Sequence, residues 1–311
     1  MSALICGSIA FDTIMVYSGQ FKNEILPDQV HMLNVSFLVP ELRREFGGCA
    51  GNIAYSLALL GGDGKAMGTV GKDFDAYGDW MTEHGISLDY VKVMEDAYTA
   101  QAYITTDLDD NQITAFHPGA MGESHIQTVP TDAGITLGLV SPDGKQGMVE
   151  HAQQFADAGI DFIFDPGQGL PMFNGNELRA IIKQASYLAV NDYESQLVRE
   201  RTGMSEAELS AELKALIITR GAKGSTIYAD GKTYDIPVCS PSALADPTGC
   251  GDAFRAGLIY GLQNGYEWET VGRIASLMGT IKIERPGTQN HRFTMDEFKA
   301  RFRREFGEDL G

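Results

Sequence analysis

The chain is predicted to fold as an α/β protein: one domain over residues 1–311, built on a three-layer, doubly wound, mostly parallel sheet that carries a small β-sheet lid. Three patterns lead there. From Ile135 onward, apolar runs at 135–140, 162–165 and 187–191 alternate with helical segments at 147–158 and 176–185, an order that places parallel strands between two layers of helices. Residues 3–9 (ALICGSI) form a continuous apolar run of strand length, suited to a strand buried on both faces. Within the segments at about 14–44 and 98–117, residues 34–39, 99–106 and 112–116 instead alternate in side-chain character, the period-2 pattern of a small exposed sheet.

Composition bounds the function. With 311 residues and 43% hydrophobic content, the chain can bury a large core. A formal net charge of -18 with no basic stripe makes the approach of a phosphate backbone or an anionic membrane repulsive, so neither nucleic acid nor membrane is an expected partner. Cys6, Cys49, Cys239 and Cys250 form no CxxC pair and the six histidines no HExxH, so a zinc site is not expected. No apolar run approaches the ~18 residues of a membrane span. No basic region precedes the first apolar run, and the expectation is a soluble protein of a reducing cytoplasm.

Taken in order, the strand at 3–9 leads to Asp12, where residues just past the carboxyl end of a strand face the ligand crevice of an open α/β sheet. Pro27 and Pro40 interrupt any helix between 21 and 44, while Val35, Phe37 and Val39 alternate with polar neighbours as a strand would. Gly47 and Gly48 open onto the helix 55–60 and allow a ligand to approach the backbone closely. Strand 65–70, helix 74–84 and strand 91–94 follow. Segments 99–106 and 112–116, separated by the polar turn 107–111, read as a hairpin in which Ala102 and Ile104 share one strand face and Thr114 and Phe116 another. After the αβ repeats come strand 216–219, a hairpin of 226–229 and 232–236 around Asp230-Gly231, helix 268–283, loop 286–290 and an amphipathic segment 296–306 that closes the sheet.

The stretch Ala245-Asp246-Pro247-Thr248-Gly249-Cys250-Gly251-Asp252-Ala253-Phe254 carries the chemistry. Pro247 disfavours helix at Asp246, and the two glycines permit backbone N–H groups to converge on one point. A helix starting near Gly251 and running to Leu262 adds the positive end of its dipole there. Asp252 stands at that mouth, and a carboxylate beside an anion hole suits phosphoryl transfer: the base takes an alcohol's proton while the N–H groups hold the charge on the transferred phosphate.

The string Asp-x-Thr-Gly-x-Gly-Asp followed by an apolar helix resembles the signature of the ribokinase-like, or phosphofructokinase B, family of sugar and nucleoside kinases. Four further motifs match in family order over nearly the whole chain. The resemblance implies that Asp252 is the catalytic base and that Gly249, Cys250 and Gly251 form the hole. It implies that Asp12, Gly48 and Asn52 hold the sugar, with the lid face carrying Ala102 and Phe116 over the substrate, where an aromatic suits a stacked base better than a bare sugar. Asn191 and Glu194, in an Asn-x-x-Glu motif, would organise magnesium and phosphates through water, as magnesium's retained waters favour. Thr219, Gly221 and Gly224 would bind ATP, with Gly287 and Asn290 in a loop flanking the adenine. The expected ligands are a nucleoside, ATP and Mg2+, and a homodimer through the lid is left open. A monovalent cation is also a feature of such a kinase, but Lys282 stands where several relatives carry a small apolar residue near the cation loop.

Each motif has a plainer reading as well. Asp12 could cap a turn, the paired glycines could simply enter a helix, Phe116 could be hairpin core and Asp192 could cap the helix starting at Tyr193. No Walker A loop and no Rossmann GxGxxG follows the first strand, which removes two competing nucleotide folds. The expected activity is ATP-dependent phosphorylation of a nucleoside 5′-hydroxyl, adenosine and related purine nucleosides first. The rivals are a ribose or fructose kinase and a nucleoside-binding regulatory protein without turnover.

Overall fold

The computed structural model describes residues 2–25, 34–109 and 111–311. Its strands are β1 (Ser2–Cys6), β2 (Ala10–Val16), β3 (Glu41–Gly47), β4 (Gly64–Gly71), β5 (Tyr90–Met94), β6 (Ala100–Thr106), β7 (Gln112–His117), β8 (Ile135–Val140), β9 (Phe162–Phe164), β10 (Tyr187–Asn191), β11 (Ala215–Thr219), β12 (Ser225–Ala229) and β13 (Lys232–Ile236). Its helices are α1 (Phe21–Glu24), α2 (Cys49–Leu59), α3 (Asp75–Glu83), α4 (Lys145–Asp157), α5 (Gly175–Gln184), α6 (Asp192–Thr202), α7 (Glu206–Glu212), α8 (Cys250–Gln263), α9 (Trp268–Ile283) and α10 (Met295–Phe306).

The main sheet runs β13-β12-β11-β10-β9-β8-β1-β4-β5, parallel from β11 to β5 and closed at the other edge by the antiparallel β12–β13 hairpin. The Asp230-Gly231 turn of that hairpin has φ 53° and 70°, the backbone that an Asp-Gly pair supplies most easily. Alternation along β1 sends Ala3 and Ile5 to one face and Leu4 and Cys6 to the other. Ala3 and Ile5 join a core with Ile53 and Leu57 of α2, Tyr77 of α3, Leu258 of α8 and Val271 of α9. Leu4 and Cys6 join Met148 and Phe155 of α4, Ile181 of α5, Val198 of α6 and Leu209 of α7. These are the three layers expected from the β/α alternation. Among the described residues, no helix is long and apolar enough to cross a membrane.

A separate four-stranded sheet has the order β3-β2-β6-β7. Its register sets Glu45, Asp12, Ala102 and Phe116 in one row across the four strands and Phe46, Phe11, Gln101 and His117 in the neighbouring row, so the two rows face opposite ways. Phe11, 1% exposed, packs its ring against Phe46 and Tyr77 at centroid distances of 6.0 and 5.7 Å, which anchors this sheet to the main body.

Three expectations are corrected. The apolar run at 3–9 is not one strand: β1 ends at Cys6, and from Ala10 the chain belongs to the small sheet, so Asp12 lies inside β2. The break falls beside Gly7, where a Cβ would lie 2.0 Å from Ser141 Oγ, a hydroxyl that donates to the Cys6 carbonyl at 2.9 Å. Residues 34–39 form no strand; that role passes to β3, and Phe37 instead packs its ring between Tyr17 and Phe21 at 4.9 and 5.0 Å. The expected strand-like segment overlaps 26–33, which lie outside the described residues. Finally α10 does not close the sheet, because Phe298 and Phe302 bury themselves with Met278 and Ile281 of α9. Helix α7, capped by Ser205, went unforeseen.

Candidate active site

Helix α8 begins at an open mouth. Its N-cap Gly249 has φ 80°, and the turn before it is tied by Asp246, whose Oδ1 accepts the Thr248 N–H at 2.9 Å and whose Oδ2 accepts the Gly287 N–H at 2.8 Å. The Cys250 N–H is spent on the Pro247 carbonyl at 3.2 Å. The N–H groups of Gly249 and Gly251 meet no acceptor among the described residues. A Cβ on Gly251 would touch nothing within 4 Å, so the space in front of it is open. Unpaired amides at a helix N-terminus are what an anion needs.

Asp252, half-buried in the first turn, accepts a hydrogen bond from Asn52 Nδ2 at 2.8 Å. Burial, and next the charge of Asp165, lift its carboxyl to about 6, while Asn52 and Arg255 restrain the rise. The Asn52 amide cannot turn around. Its Oδ1 accepts Gln289 Nε2 at 3.0 Å, and Gln289 is itself fixed by Trp80 Nε1 at 3.0 Å and by the Tyr77 hydroxyl at 2.6 Å. Tyr77 in turn donates to the Gly47 carbonyl at 2.8 Å. One amide hydrogen of Asn52 remains for a ligand. Gln289, Tyr77 and Trp80 were not singled out from the sequence, because Gln289 lies 237 positions from Asn52, 212 from Tyr77 and 209 from Trp80, and the last two lie in an unremarkable helix.

Across the mouth, Asp12 projects from β2 on the Asp12–Phe116 row. Its carboxyl is also pushed up to about 6, first by burial and then by the charges of Glu45 and Asp246. Gly47 makes room for it, since a Cβ there would lie 2.7 Å from Asp12 Oδ2. The neighbouring glycine has a different reason: Gly48, at φ 84°, would drive a Cβ to 2.6 Å from Ala10 N and Ser8 O, so it is demanded by the protein's own backbone. Ala102 and Phe116 continue the row. Phe116 is 52% exposed on the edge strand, two strands and therefore about 10 Å from Asp12.

The residues expected at the nucleotide end gather at the carboxyl edge of the main sheet, where Asn191 and Thr219 are direct partners in the β10–β11 register. Asn191 and Glu194 form a capping box for α6: Asn191 Oδ1 accepts the Glu194 N–H, and Glu194 Oε2 accepts the Asn191 N–H, both at 2.8 Å. The cap is thus Asn191 and not Asp192. Burial raises the Glu194 carboxyl above its usual range. Gly221 (φ 54°) and Gly224 (φ 83°) shape the turn after β11, Gly221 with open space beside it and Gly224 pressed against the Ile236 carbonyl. Gly287 and Asn290 lie elsewhere. Gly287 binds Asp246, and Asn290 Nδ2 donates to Glu45 Oε2 at 3.0 Å, beside the small sheet.

Arg255 joins the two ends. One turn after Asp252, it reaches through the core to Asp165 Oδ2 at 3.0 Å, Asp165 Oδ1 at 3.2 Å and the Ala189 carbonyl at 3.2 Å. Its guanidinium lies in the fields of both Glu194 and Asp252. The one sequence signal for it was a lone arginine in an otherwise apolar helix.

Residues 10–294 match the family described as pfkB family carbohydrate kinase. The nucleoside kinase of Methanocaldococcus jannaschii is 29% identical over 270 residues, 86% of this chain and 89% of that protein. Among solved structures, the nucleoside kinase of Burkholderia thailandensis in complex with inosine superposes with a TM-score of 0.91 at 53% identity, covering 99% of this chain and 100% of that one. The same kinase in complex with ADP-inosine gives a TM-score of 0.87 at 56% identity, covering 99% and 97%.

Proposed function

Because the chain belongs to the pfkB family of carbohydrate kinases, and is as such an ATP-dependent phosphotransferase, we propose that its acceptor is the 5′-hydroxyl of a nucleoside, purine nucleosides first. The observation that carries the mechanism is Asp252 held by Asn52 beside the unpaired amides of Gly249 and Gly251. Asp252 takes the hydroxyl proton as the phosphorus is attacked, and the amides with the α8 N-terminus hold the oxygens of the transferred phosphoryl group. Cys250 contributes the bend between the two glycines, since its own N–H is committed to Pro247.

Asp12 and the remaining amide hydrogen of Asn52 bind the ribose hydroxyls, with Gly48 shaping the backbone beneath them. Asn191, Thr219, Gly221 and Gly224 receive the nucleotide. Gly287 and Asn290, beside Glu45, act by joining the loop after α9 to the small sheet. Magnesium, which would neutralise the ATP phosphates, fits as a water-held ion. Glu194 keeps one oxygen outside its capping box, and no group of three His, Cys, Asp or Glu among the described residues is arranged to hold a metal.

A nucleoside is favoured over a sugar by the Asp12–Ala102–Phe116 row, in which a small residue lies between a carboxylate and an aromatic face about 10 Å away. The inosine complex of the similar Burkholderia kinase supports the same choice. Phe116→Ala is expected to lower kcat/KM for adenosine or inosine by roughly tenfold or more and to leave any ribose turnover unchanged, since stacking is worth about 1 to 3 kcal/mol for a base and nothing for a free sugar. Steady-state kinetics on both acceptors decide: if wild type uses ribose as well as adenosine, or the substitution affects both alike, the sugar-kinase reading replaces this one.

The small sheet closes over the substrate as a lid that excludes water from the transferred phosphoryl group. Hydrogen exchange is expected to slow in 98–117 and in the described parts of 14–44 when adenosine binds. Equal exchange with and without nucleoside would remove the lid role.

A further inference from the structure

Lys282 is buried where few lysines go. It occupies the last turn of α9 and is 0% exposed, in a chain whose net charge of -18 gives every cation abundant surface partners. No carboxylate among the described residues pairs with it directly. Its Nζ instead donates to two main-chain carbonyls, Asp246 O at 2.8 Å and Arg285 O at 3.1 Å. Removing an ammonium from water is costly, and desolvation pulls its pKa below the usual lysine range. The position therefore needs a return.

The two carbonyls belong to the two loops that build the site. Asp246 starts the turn into the Gly249 and Gly251 amides, and Arg285 precedes the loop that delivers Gln289 to Asn52. The loops are laced together around Lys282: Ala245 and Asp246 donate N–H groups to the Ile283 carbonyl at 2.9 and 3.2 Å, and Gly287 donates to Asp246 Oδ2. Backbone carbonyls converging on one positive centre are the ligands that a dehydrated monovalent cation uses. Here the lysine ammonium occupies that centre, so a K+ or ammonium ion does not fit among these carbonyls.

We propose that Lys282 is a positioning residue that serves as a built-in monovalent cation, fastening the Asp246 carbonyl so that the Gly249 and Gly251 amides stay aimed, and that turnover is therefore independent of K+ and ammonium. This rests on the reading of those amides as the phosphoryl-binding hole.

The test compares wild type and Lys282→Ala in potassium, ammonium and tetramethylammonium chloride at matched ionic strength, reading both adenosine turnover and thermal midpoint. Wild type is expected to be indifferent to the salt in both. Lys282→Ala in tetramethylammonium is expected to lose kcat by about 10- to 100-fold with little change in nucleoside KM, below or at the lower end of the cost of deleting a hole donor outright. Potassium or ammonium should restore part of that loss and raise the variant's midpoint. Lys282→Met is the second variant if the alanine form does not fold, and the wild-type salt series stands alone. Wild-type turnover that rises several-fold in potassium would overturn the proposal. So would a variant as fast as wild type in tetramethylammonium, or one whose turnover and midpoint ignore every small cation. The midpoint arm needs no turnover, so a failure of the kinase assignment itself would appear separately, as wild type inactive on every acceptor.

Discussion

Asp252→Asn is expected to lower kcat about 10³-fold, within the range typical of losing a general base, while nucleoside and ATP affinities stay near wild type. The amide keeps the shape and can still accept from Asn52, so the change isolates the proton acceptance. The same substitution carries an opposite effect on stability. The Asp252 carboxyl is raised from 3.8 to about 6 in the folded protein, so between those values the folded state binds more protons than the unfolded one. Stability attributable to this group therefore falls as pH rises from about 4 to about 6, and stays low above that. Asn removes the penalty, and the variant should melt higher than wild type at neutral pH, with the gap shrinking as pH falls from about 6 to about 4 and closed below that. Calorimetry across that range together with steady-state kinetics checks both halves. Near-wild-type turnover would refute the assigned base, and a variant that melts lower at neutral pH would mean Asp252 is a structural anchor.

Asp12→Ala has the second largest expected effect, about a 10²- to 10⁴-fold loss in kcat/KM for the nucleoside with KM for ATP unchanged. Two ribose hydroxyls would each lose a bond to a charged acceptor, worth about 1.5 to 3 kcal/mol apiece. The fold should not suffer. Asp12 sits at a carboxyl pushed up to about 6 by burial and by Glu45 and Asp246, so its removal relieves repulsion and does not break a supporting contact. A dideoxynucleoside lacking both hydroxyls supplies the second arm of a double cycle. Wild type should discriminate strongly against it and Asp12→Ala much less, keeping only the part supplied by Asn52. Equal discrimination by both proteins would place the hydroxyl contacts on other residues.

The layered sheet was legible because its evidence is local: apolar runs of strand length, helical periodicity between them, and Asp-Gly at the β12–β13 turn. The errors came where tertiary context overrides a pattern. ALICGSI reads as one strand, yet β1 ends at Cys6, where Gly7 packs against Ser141, and Asp12 belongs to another sheet. Phe37 has strand alternation around it, but its ring is held by Tyr17 and Phe21. In the site, Asp252, Asn52 and the glycines of the α8 mouth are brought together as their motifs suggested. Their support was not readable. Gln289 reaches Asn52 across 237 positions and is itself held by Tyr77 and Trp80 from 212 and 209 positions away, and the pairing of Arg255 with Asp165 spans 90 positions. Gly48 shows that a residue can match a motif for a reason other than the ligand, since the protein's own backbone already forbids a side chain there.

The most direct measurement is ADP release by the purified protein with magnesium-ATP and, one at a time, adenosine, inosine, cytidine, ribose and fructose. ADP formation is expected to depend on an added nucleoside, with adenosine or inosine well ahead of either free sugar and a nucleoside 5′-monophosphate as the matching product. Ribose or fructose leading the series, or ADP release that no acceptor stimulates, would contradict it.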